Sequence, residues 1–79
     1  QLEQEATMWT AAGTHKLDSG DLGGALELFE RAIAVSDSYA PAHYQMGRTL
    51  QRLGRYEASR RAFARAAALN PSLVAPREP

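Results

Sequence analysis

Apolar residues recur along the chain at the three- and four-residue spacing that places them on one face of an α-helix. The first such segment runs from about Leu2 to Ser19 and stops at Gly20, because glycine readily takes the left-handed conformation that ends a helix. The second begins after Asp21, a good N-cap residue, and fades in the polar cluster at 36–38.

Two further helices are predicted in the second half of the chain. The third opens near Tyr39, with Pro41 in its first turn, and ends at Gly54. The fourth starts at about Tyr56 and is stopped by the Asn-Pro pair at 70–71, because proline disfavours helical geometry in the residue before it. No segment alternates like a half-buried strand, so the predicted fold is all-α. Short loops between the helices require successive helices to be antiparallel.

Each helix has its own set of apolar positions. Those of the first helix include Leu2, Met8, Ala12 and Leu17, and those of the second, at helical spacing, are Leu22, Ala25, Leu26, Phe29, Ala32 and Ile33. The third helix is expected to face inward with Ala42, Met46, Leu50 and Leu53, and the fourth to bury Tyr56, Ala62, Phe63, Ala66 and Ala67.

The same residue types also recur 34 positions apart, which indicates a stacked array of helical units. The matching pairs are Ala6 and Ala40, Gly13 and Gly47, Gly20 and Gly54, Phe29 and Phe63, Arg31 and Arg65, Ala32 and Ala66, Ala34 and Ala68, and Ser38 and Ser72. A glycine inside a helix costs about 1 kcal/mol relative to alanine. Its recurrence at positions 13 and 47 therefore predicts close approach of a partner helix, with Phe29 and Phe63 as large plugs between the helix pairs.

These residues resemble the tetratricopeptide repeat, in two tandem units at about 6–39 and 40–73. The first unit carries the pattern in Trp9, Ala12-Gly13, Lys16, Ala25, Phe29, Ala32 and Asp37, and the second in His43, Met46-Gly47, Leu50, Ser59, Phe63, Ala66 and Pro71. Lys16, His43 and Asp37 depart from the usual aromatic, tryptophan and proline, and we expect looser packing where they lie. The resemblance implies an α-solenoid fragment that acts as a protein–protein interaction scaffold and is not an enzyme.

Residues 74–79 resemble the truncated start of a third unit or a cap. We therefore expect an apolar face around Phe63 and Ala67 to be open unless something covers it. Further repeats in a longer parent chain, Leu73 and Val74 folding back, or a second copy of the chain could each do so.

Charge divides the two units, although the net charge of the whole chain is zero. Residues 1–39 hold seven acidic and two basic side chains, a net charge of −5, and residues 40–79 hold two acidic and seven basic ones, a net charge of +5. Such asymmetry suggests an anionic partner or head-to-tail association. Solvated helix faces that differ in charge without any functional consequence are the alternative.

Little in the sequence points to catalysis or to a metal. There is no cysteine, and His15 and His43 lie on different helices without further ligands at a suitable spacing. The glycine-rich stretch 20–24 lacks the Lys-Ser/Thr ending of a phosphate loop and is interpreted as a turn between helices. No apolar run reaches the roughly 18 residues of a membrane span. We expect no cofactor, no small-molecule substrate and no membrane insertion.

The resemblance places a concave groove along the first helix of each unit. The candidate partner-binding residues there are Thr10, Thr14, Tyr44, Gln45, Arg48, Gln51 and Arg52, flanked by Thr7, Leu17 and Asp18. Arginine forks bind carboxylates with two hydrogen bonds, so an acidic or C-terminal peptide is the expected ligand. Two alternatives remain open, namely head-to-tail self-association and binding of nucleic acid through the arginines of the second unit.

Overall fold

The computed structural model of the chain describes residues 2–75, which form four α-helices. They are α1 (Leu2–Asp18), α2 (Leu22–Val35), α3 (Ala40–Arg52) and α4 (Tyr56–Leu69). No strand occurs within these residues, and the all-α fold class and the order of the helices are confirmed. None of the helices in this part of the chain is long and apolar enough to cross a membrane.

The turn inside each unit is built in the same way in both copies. Gly20 and Gly54 adopt positive φ angles of 90° and 81°. The next residue donates its N–H back to the carbonyl five positions earlier, from Asp21 to Lys16 and from Arg55 to Leu50, at 2.9 Å in both cases. This bond pattern is the Schellman motif, which satisfies the last carbonyls of the preceding helix. Glycine is needed there because a side chain would strain the left-handed backbone.

Asp21 also starts α2, as the sequence predicts. Its carboxylate accepts a hydrogen bond of 3.0 Å from the backbone N–H of Gly24, one of the donors that a helix N-terminus leaves unpaired. The glycine-rich stretch 20–24 is therefore confirmed as a turn and helix start. Pro41 lies in the first turn of α3, also as predicted.

The helices form two pairs, α1 with α2 and α3 with α4, and α3 joins the pairs by packing against both α1 and α2. Small residues allow this close packing. Ala6, Ala32 and Ala42 meet in one fully buried cluster at the junction of α1, α2 and α3. A second fully buried cluster contains Leu17 and Phe29, and Met46 of α3 packs against it. The hydrophobic core thus runs across the boundary between the units.

Each phenylalanine ring lies against the mid-helix glycine of its own unit. A β-carbon added to Gly13 would be 2.6 Å from Cε1 of Phe29, and one added to Gly47 would be 2.9 Å from Cδ1 of Phe63. The predicted close approach at both glycines is confirmed. Both rings thus pack inside their own helix pair, and the cluster that contains Phe29 also meets Met46 of the second pair, as expected of a plug between pairs.

Tyr56, which was predicted to be buried, is 61% exposed. Three apolar positions of α1 are exposed as well, namely Leu2 at 63%, Met8 at 59% and Ala12. The buried side of α1 is instead Ala6, Thr10, Gly13 and Leu17, because α2 and α3 both approach α1 from that side. Spacing identifies a helix face, but it does not say which side of the helix has a neighbour.

The end of the second unit is more closed than expected. Phe63 is only 6% exposed, and the edge of the Tyr44 ring approaches it at a centroid distance of 5.3 Å. Ala67 is half-buried and lines a cavity of about 260 Å³ together with Val74. Residues 73–75 are not helical, and the rest of the predicted third unit, 76–79, lies outside the described residues.

The boundary between the units is tied at Asp37, which was expected to loosen it. Nε2 of the buried His43 donates a hydrogen bond of 2.8 Å to the backbone carbonyl of Asp37. The Asp37 carboxylate accepts one of 2.9 Å from Arg65 of α4. Asp37 and His43, two departures from the repeat pattern, are therefore hydrogen-bonded to each other, and this bond fixes the loop between α2 and α3. At the third departure, Lys16 forms an exposed ion pair with Asp21 at 3.6 Å.

Candidate protein-interaction face

The candidate residues lie on α1 and α3, the first helices of the two units, which are in direct contact. We call their shared surface the α1–α3 face and define it by Thr7, Thr14, Tyr44, Gln45, Arg48, Gln51 and Arg52. On α3, positions 44, 48 and 51 or 52 project to one side because they are three or four residues apart. The structure therefore brings the residues predicted on the second unit together along one side of one helix.

The threonines of α1 differ in how they can take part. Thr10 is 7% exposed, and its hydroxyl oxygen is enclosed with no hydrogen-bond partner in the described part of the chain. Thr14 is half-buried, and its hydroxyl donates to the Thr10 carbonyl at 2.9 Å. Thr7 is exposed and bonds both the Glu3 carbonyl and the Tyr39 hydroxyl. Thr10 is therefore buried in the core and contributes packing, and Thr7 is the more accessible hydroxyl.

Tyr44 is half-buried and held in place. Its ring meets Phe63 edge to face, with 65° between the ring planes. Such a geometry contributes about 0.5–1.5 kcal/mol beyond the buried area. The ring is therefore fixed before any ligand arrives.

Arg48 is positioned by a neighbour on its own helix. Its guanidinium donates to Oε1 of Gln45 at 2.9 Å, and the Gln45 carbonyl accepts the hydroxyl of the fully buried Thr49 at 2.9 Å. A guanidinium has five N–H donors, so one bond to an amide leaves most of them available. Gln45 thus orients Arg48 without neutralising its charge.

Arg52 connects the two units across the same face. Its guanidinium donates a long hydrogen bond of 3.3 Å to the carbonyl of Leu17, in the last turn of α1. A cation is favourable there because the helix macrodipole puts partial negative charge at a C-terminus. Gln51, the remaining candidate, is half-buried and lies one position before Arg52.

The charge of this face is unbalanced. Within residues 2–75, neither Arg48 nor Arg52 forms an ion pair with a carboxylate, although other basic side chains do. Two guanidinium groups four residues apart on a helix repel one another by a few tenths of a kcal/mol. An anion bound between them would relieve that repulsion.

The other arginines are scattered, and several are paired. Arg60 pairs with Glu57, Arg65 with Asp37 and Arg31 with Glu27. Ion pairs therefore occupy two arginines of the second unit, and binding of nucleic acid through the others stays an alternative prediction. In the described residues, no group of three or more His, Cys, Asp or Glu side chains is arranged to hold a metal ion.

Sequence reasoning missed a second concave feature. A cavity of about 430 Å³ lies between α2 and α4, and its floor is formed by α3. Met46 and Leu50 of that floor were predicted to be inward-facing residues of the core. Their spacing was visible in the sequence, but the separation of α2 from α4 was not.

Comparison with known proteins supports one family. A family model described as tetratricopeptide repeat matches residues 16–75. The chain is also similar to Uncharacterized protein MJ0572 of Methanocaldococcus jannaschii, with 33% identity over 71 residues that cover 90% of this chain and 83% of that protein. Most of the chain, including three of its four helices in full, is matched by the repeat model. The chain belongs to the tetratricopeptide-repeat family.

Proposed function

We propose that the chain binds an acidic segment of a partner protein through the α1–α3 face. Tetratricopeptide repeats are generally protein–protein interaction modules, and the family is typically not catalytic. The observation that carries the proposal is the pair Arg48 and Arg52, one helical turn apart, without a carboxylate partner among residues 2–75. A carboxylate bound by such a fork gains two charge-assisted hydrogen bonds.

The surroundings of the two arginines favour a peptide over a free anion. Tyr44 supplies a fixed aromatic surface one turn before Arg48, on which an apolar or aromatic side chain of the ligand can rest. Gln45, the next residue along α3, adds an amide group that can form hydrogen bonds. A ligand segment with one or two acidic residues next to an apolar one would use all of these contacts.

The proposal is tested with short random-sequence peptides displayed on phage and selected against the 79-residue chain. We expect acidic residues to be enriched, and the best binder is then synthesised and measured by fluorescence anisotropy. The double substitution Arg48→Ala and Arg52→Ala should weaken its binding by about tenfold or more, since a hydrogen bond to a charged group contributes about 1.5–3 kcal/mol.

A matched control removes the same charge elsewhere. Arg55 and Arg60 are exposed residues at the start of α4, and neither belongs to the α1–α3 face. The double substitution Arg55→Ala and Arg60→Ala should lower affinity only slightly, through long-range attraction that salt screens. If both double variants weaken binding equally, the peptide responds to overall charge and the proposed site is wrong.

A further inference from the structure

The cavity between α2 and α4 is an open, mostly apolar groove. Ile33 lies on the α2 side, Met46 and Leu50 form the floor on α3, and Ala58 and Ala62 lie on the α4 side. We call this feature the α2–α4 groove. Its volume of about 430 Å³ is within the range of about 300–1,000 Å³ that is typical of protein ligand sites.

The groove exists because α2 and α4 do not pack against each other. Both lie on α3, and no contact joins α2 to α4 among the described helices. The small side chains of Ala58 and Ala62 leave space on the α4 side that larger residues would fill. Ile33 and Met46 remain half-buried as a result.

This groove is separate from the α1–α3 face. The floor positions 43, 46 and 50 and the face positions 44, 48 and 51 lie on nearly opposite sides of α3, because successive helical residues are about 100° apart. A ligand in the groove therefore neither replaces nor blocks a peptide on the α1–α3 face.

The helices that line the groove determine which secondary structure a ligand can have there. Its three sides are helices, so their backbone N–H and C=O groups are already paired and offer no edge to which a strand could add. An occupant must therefore satisfy its own backbone hydrogen bonds, as a helix does. The floor extends from His43 to Leu50, about two helical turns or about 10 Å, which sets the length of the contact.

The charged residues on the two sides of the groove determine which charges the flanks of that helix should carry. Glu30 lies on the α2 side and Arg61 on the α4 side, and neither forms an ion pair within residues 2–75. One end of the groove is fixed by Arg65 and His43, which are both hydrogen-bonded to Asp37. A helix lying here would gain from a carboxylate on its α4 flank and a basic group on its α2 flank.

We propose that the α2–α4 groove binds an amphipathic helix of a partner protein, with apolar side chains against Met46 and Leu50 and a carboxylate facing Arg61. Helix-in-groove recognition needs apolar anchors at i, i+3 or i+4, and i+7 on the ligand, and two turns of floor accommodate such a stripe. This proposal does not depend on the function proposed for the α1–α3 face.

The test uses a display library of alanine-rich helical peptides of about 16 residues, long enough to be helical in isolation. Positions on one face vary among apolar residues, and the two flanks vary among Glu, Lys and Gln. Selection against the 79-residue chain should enrich peptides with an apolar stripe and Glu on one flank. Loss of a buried anchor contact costs tenfold or more in affinity, so Ala58→Trp, which fills the groove, should weaken these peptides by about tenfold.

A charge-reversal variant provides the second measurement. Arg61 is exposed, so Arg61→Glu should fold normally, and selection against it should move the enriched flank residue from Glu to Lys. The double variant Arg48→Ala and Arg52→Ala serves as the control and should bind the selected helices unchanged. The proposal is overturned if no helical stripe is enriched, or if the selected peptides bind wild type, Ala58→Trp and Arg61→Glu equally well.

Discussion

The ring of Phe29 rests directly on Gly13, so closely that a β-carbon on Gly13 would be 2.6 Å from Cε1 of the ring. Phe29 is fully buried and cannot move aside without disturbing Leu17 and Ala25, which belong to the same cluster. The absence of a side chain at position 13 is thus what allows α1 and α2 to pack at this distance.

Gly13→Ala should therefore destabilise the chain, although the same change in an exposed helix normally stabilises it by about 1 kcal/mol. Overpacking of a core costs about 1–3 kcal/mol, which outweighs that gain. Urea denaturation would show the change in the free energy of unfolding. Gly23→Ala is the control, because Gly23 is helical and exposed and nothing lies within 4 Å of an added β-carbon. A stabilising Gly13→Ala would mean that the ring has room to shift.

The second unit adds a hydrogen bond to the same contact. Oγ of the buried Ser59 donates to the carbonyl of Gly47 at 2.8 Å, whereas the first unit has Ala25 at the equivalent position. Ser59→Ala should lower the free energy of unfolding by about 0.5–1.5 kcal/mol, the usual net contribution of such a bond.

The comparison for Ser59 is Ser19, an exposed serine whose hydroxyl donates to the carbonyl of Lys16. Ser19→Ala should change stability by no more than about 0.5 kcal/mol, because water replaces the lost partner. Equal effects of the two substitutions in thermal denaturation would contradict a role for the buried bond.

Two buried threonines should respond in opposite directions to the same substitution. Among residues 2–75 the Thr10 hydroxyl has no hydrogen-bond partner, whereas the Thr49 hydroxyl donates to the Gln45 carbonyl at 2.9 Å. A buried unsatisfied polar group costs about 1–3 kcal/mol. Thr10→Val should therefore stabilise the chain by about 1 kcal/mol, and Thr49→Val should destabilise it. Thermal denaturation of the two variants tests this prediction. A melting temperature of Thr10→Val below that of the wild type would contradict it.

In the loop at Asp37, the hydrogen bond to the backbone carbonyl should contribute more to stability than the ion pair of the side chain. His43 is bonded to the backbone carbonyl of Asp37, and Arg65 is bonded to its carboxylate. Asp37→Ala removes the exposed ion pair with Arg65 and the 3.9 Å contact between the Asp37 carboxylate and Nε2 of His43, and should cost less than about 1 kcal/mol. His43→Ala removes a buried bond and its packing, and should cost about 2 kcal/mol or more.

Denaturation of both variants in the same buffer checks this order. Raising the salt concentration should diminish the effect of Asp37→Ala and leave that of His43→Ala, because salt screens exposed pairs and not buried bonds. A loss on Asp37→Ala as large as on His43→Ala would show that the carboxylate, and not the carbonyl, holds the loop.

The sequence predicts the helices well because their limits depend on local chemistry. Gly20, Gly54, Asp21 and Pro41 act within one turn of their own positions, and each lies where its residue type favours a helix end or start. The recurrence of glycine at a spacing of 34 residues then indicates where one helix packs closely on the next, which is why the contacts at both glycines could be predicted.

Burial was predicted less well, because it depends on where a neighbour lies. Met8 and Tyr56 are apolar or aromatic and still exposed, whereas Thr49 is polar and fully buried, with its hydroxyl satisfied on its own helix. The candidate residues on α3 were predicted from helical register and do share a side of that helix, but the burial of Thr10 depends on the helices that pack against α1. Contacts between distant segments leave no local signature in either case.

In the part of the chain that the structure describes, the helix α4 packs on α3 and on neither helix of the first unit, and Arg65 of α4 forms an ion pair with Asp37 in the loop after α2. Duplication of such a unit in a gene therefore has only one set of contacts to reproduce, those that its first helix makes with the two helices of the preceding unit. A lineage can lengthen the array or change its outer surfaces, one unit at a time, while the earlier units keep their structure. The same arrangement leaves natural selection free to give each copy its own charge, as the acidic first unit and the basic second unit illustrate.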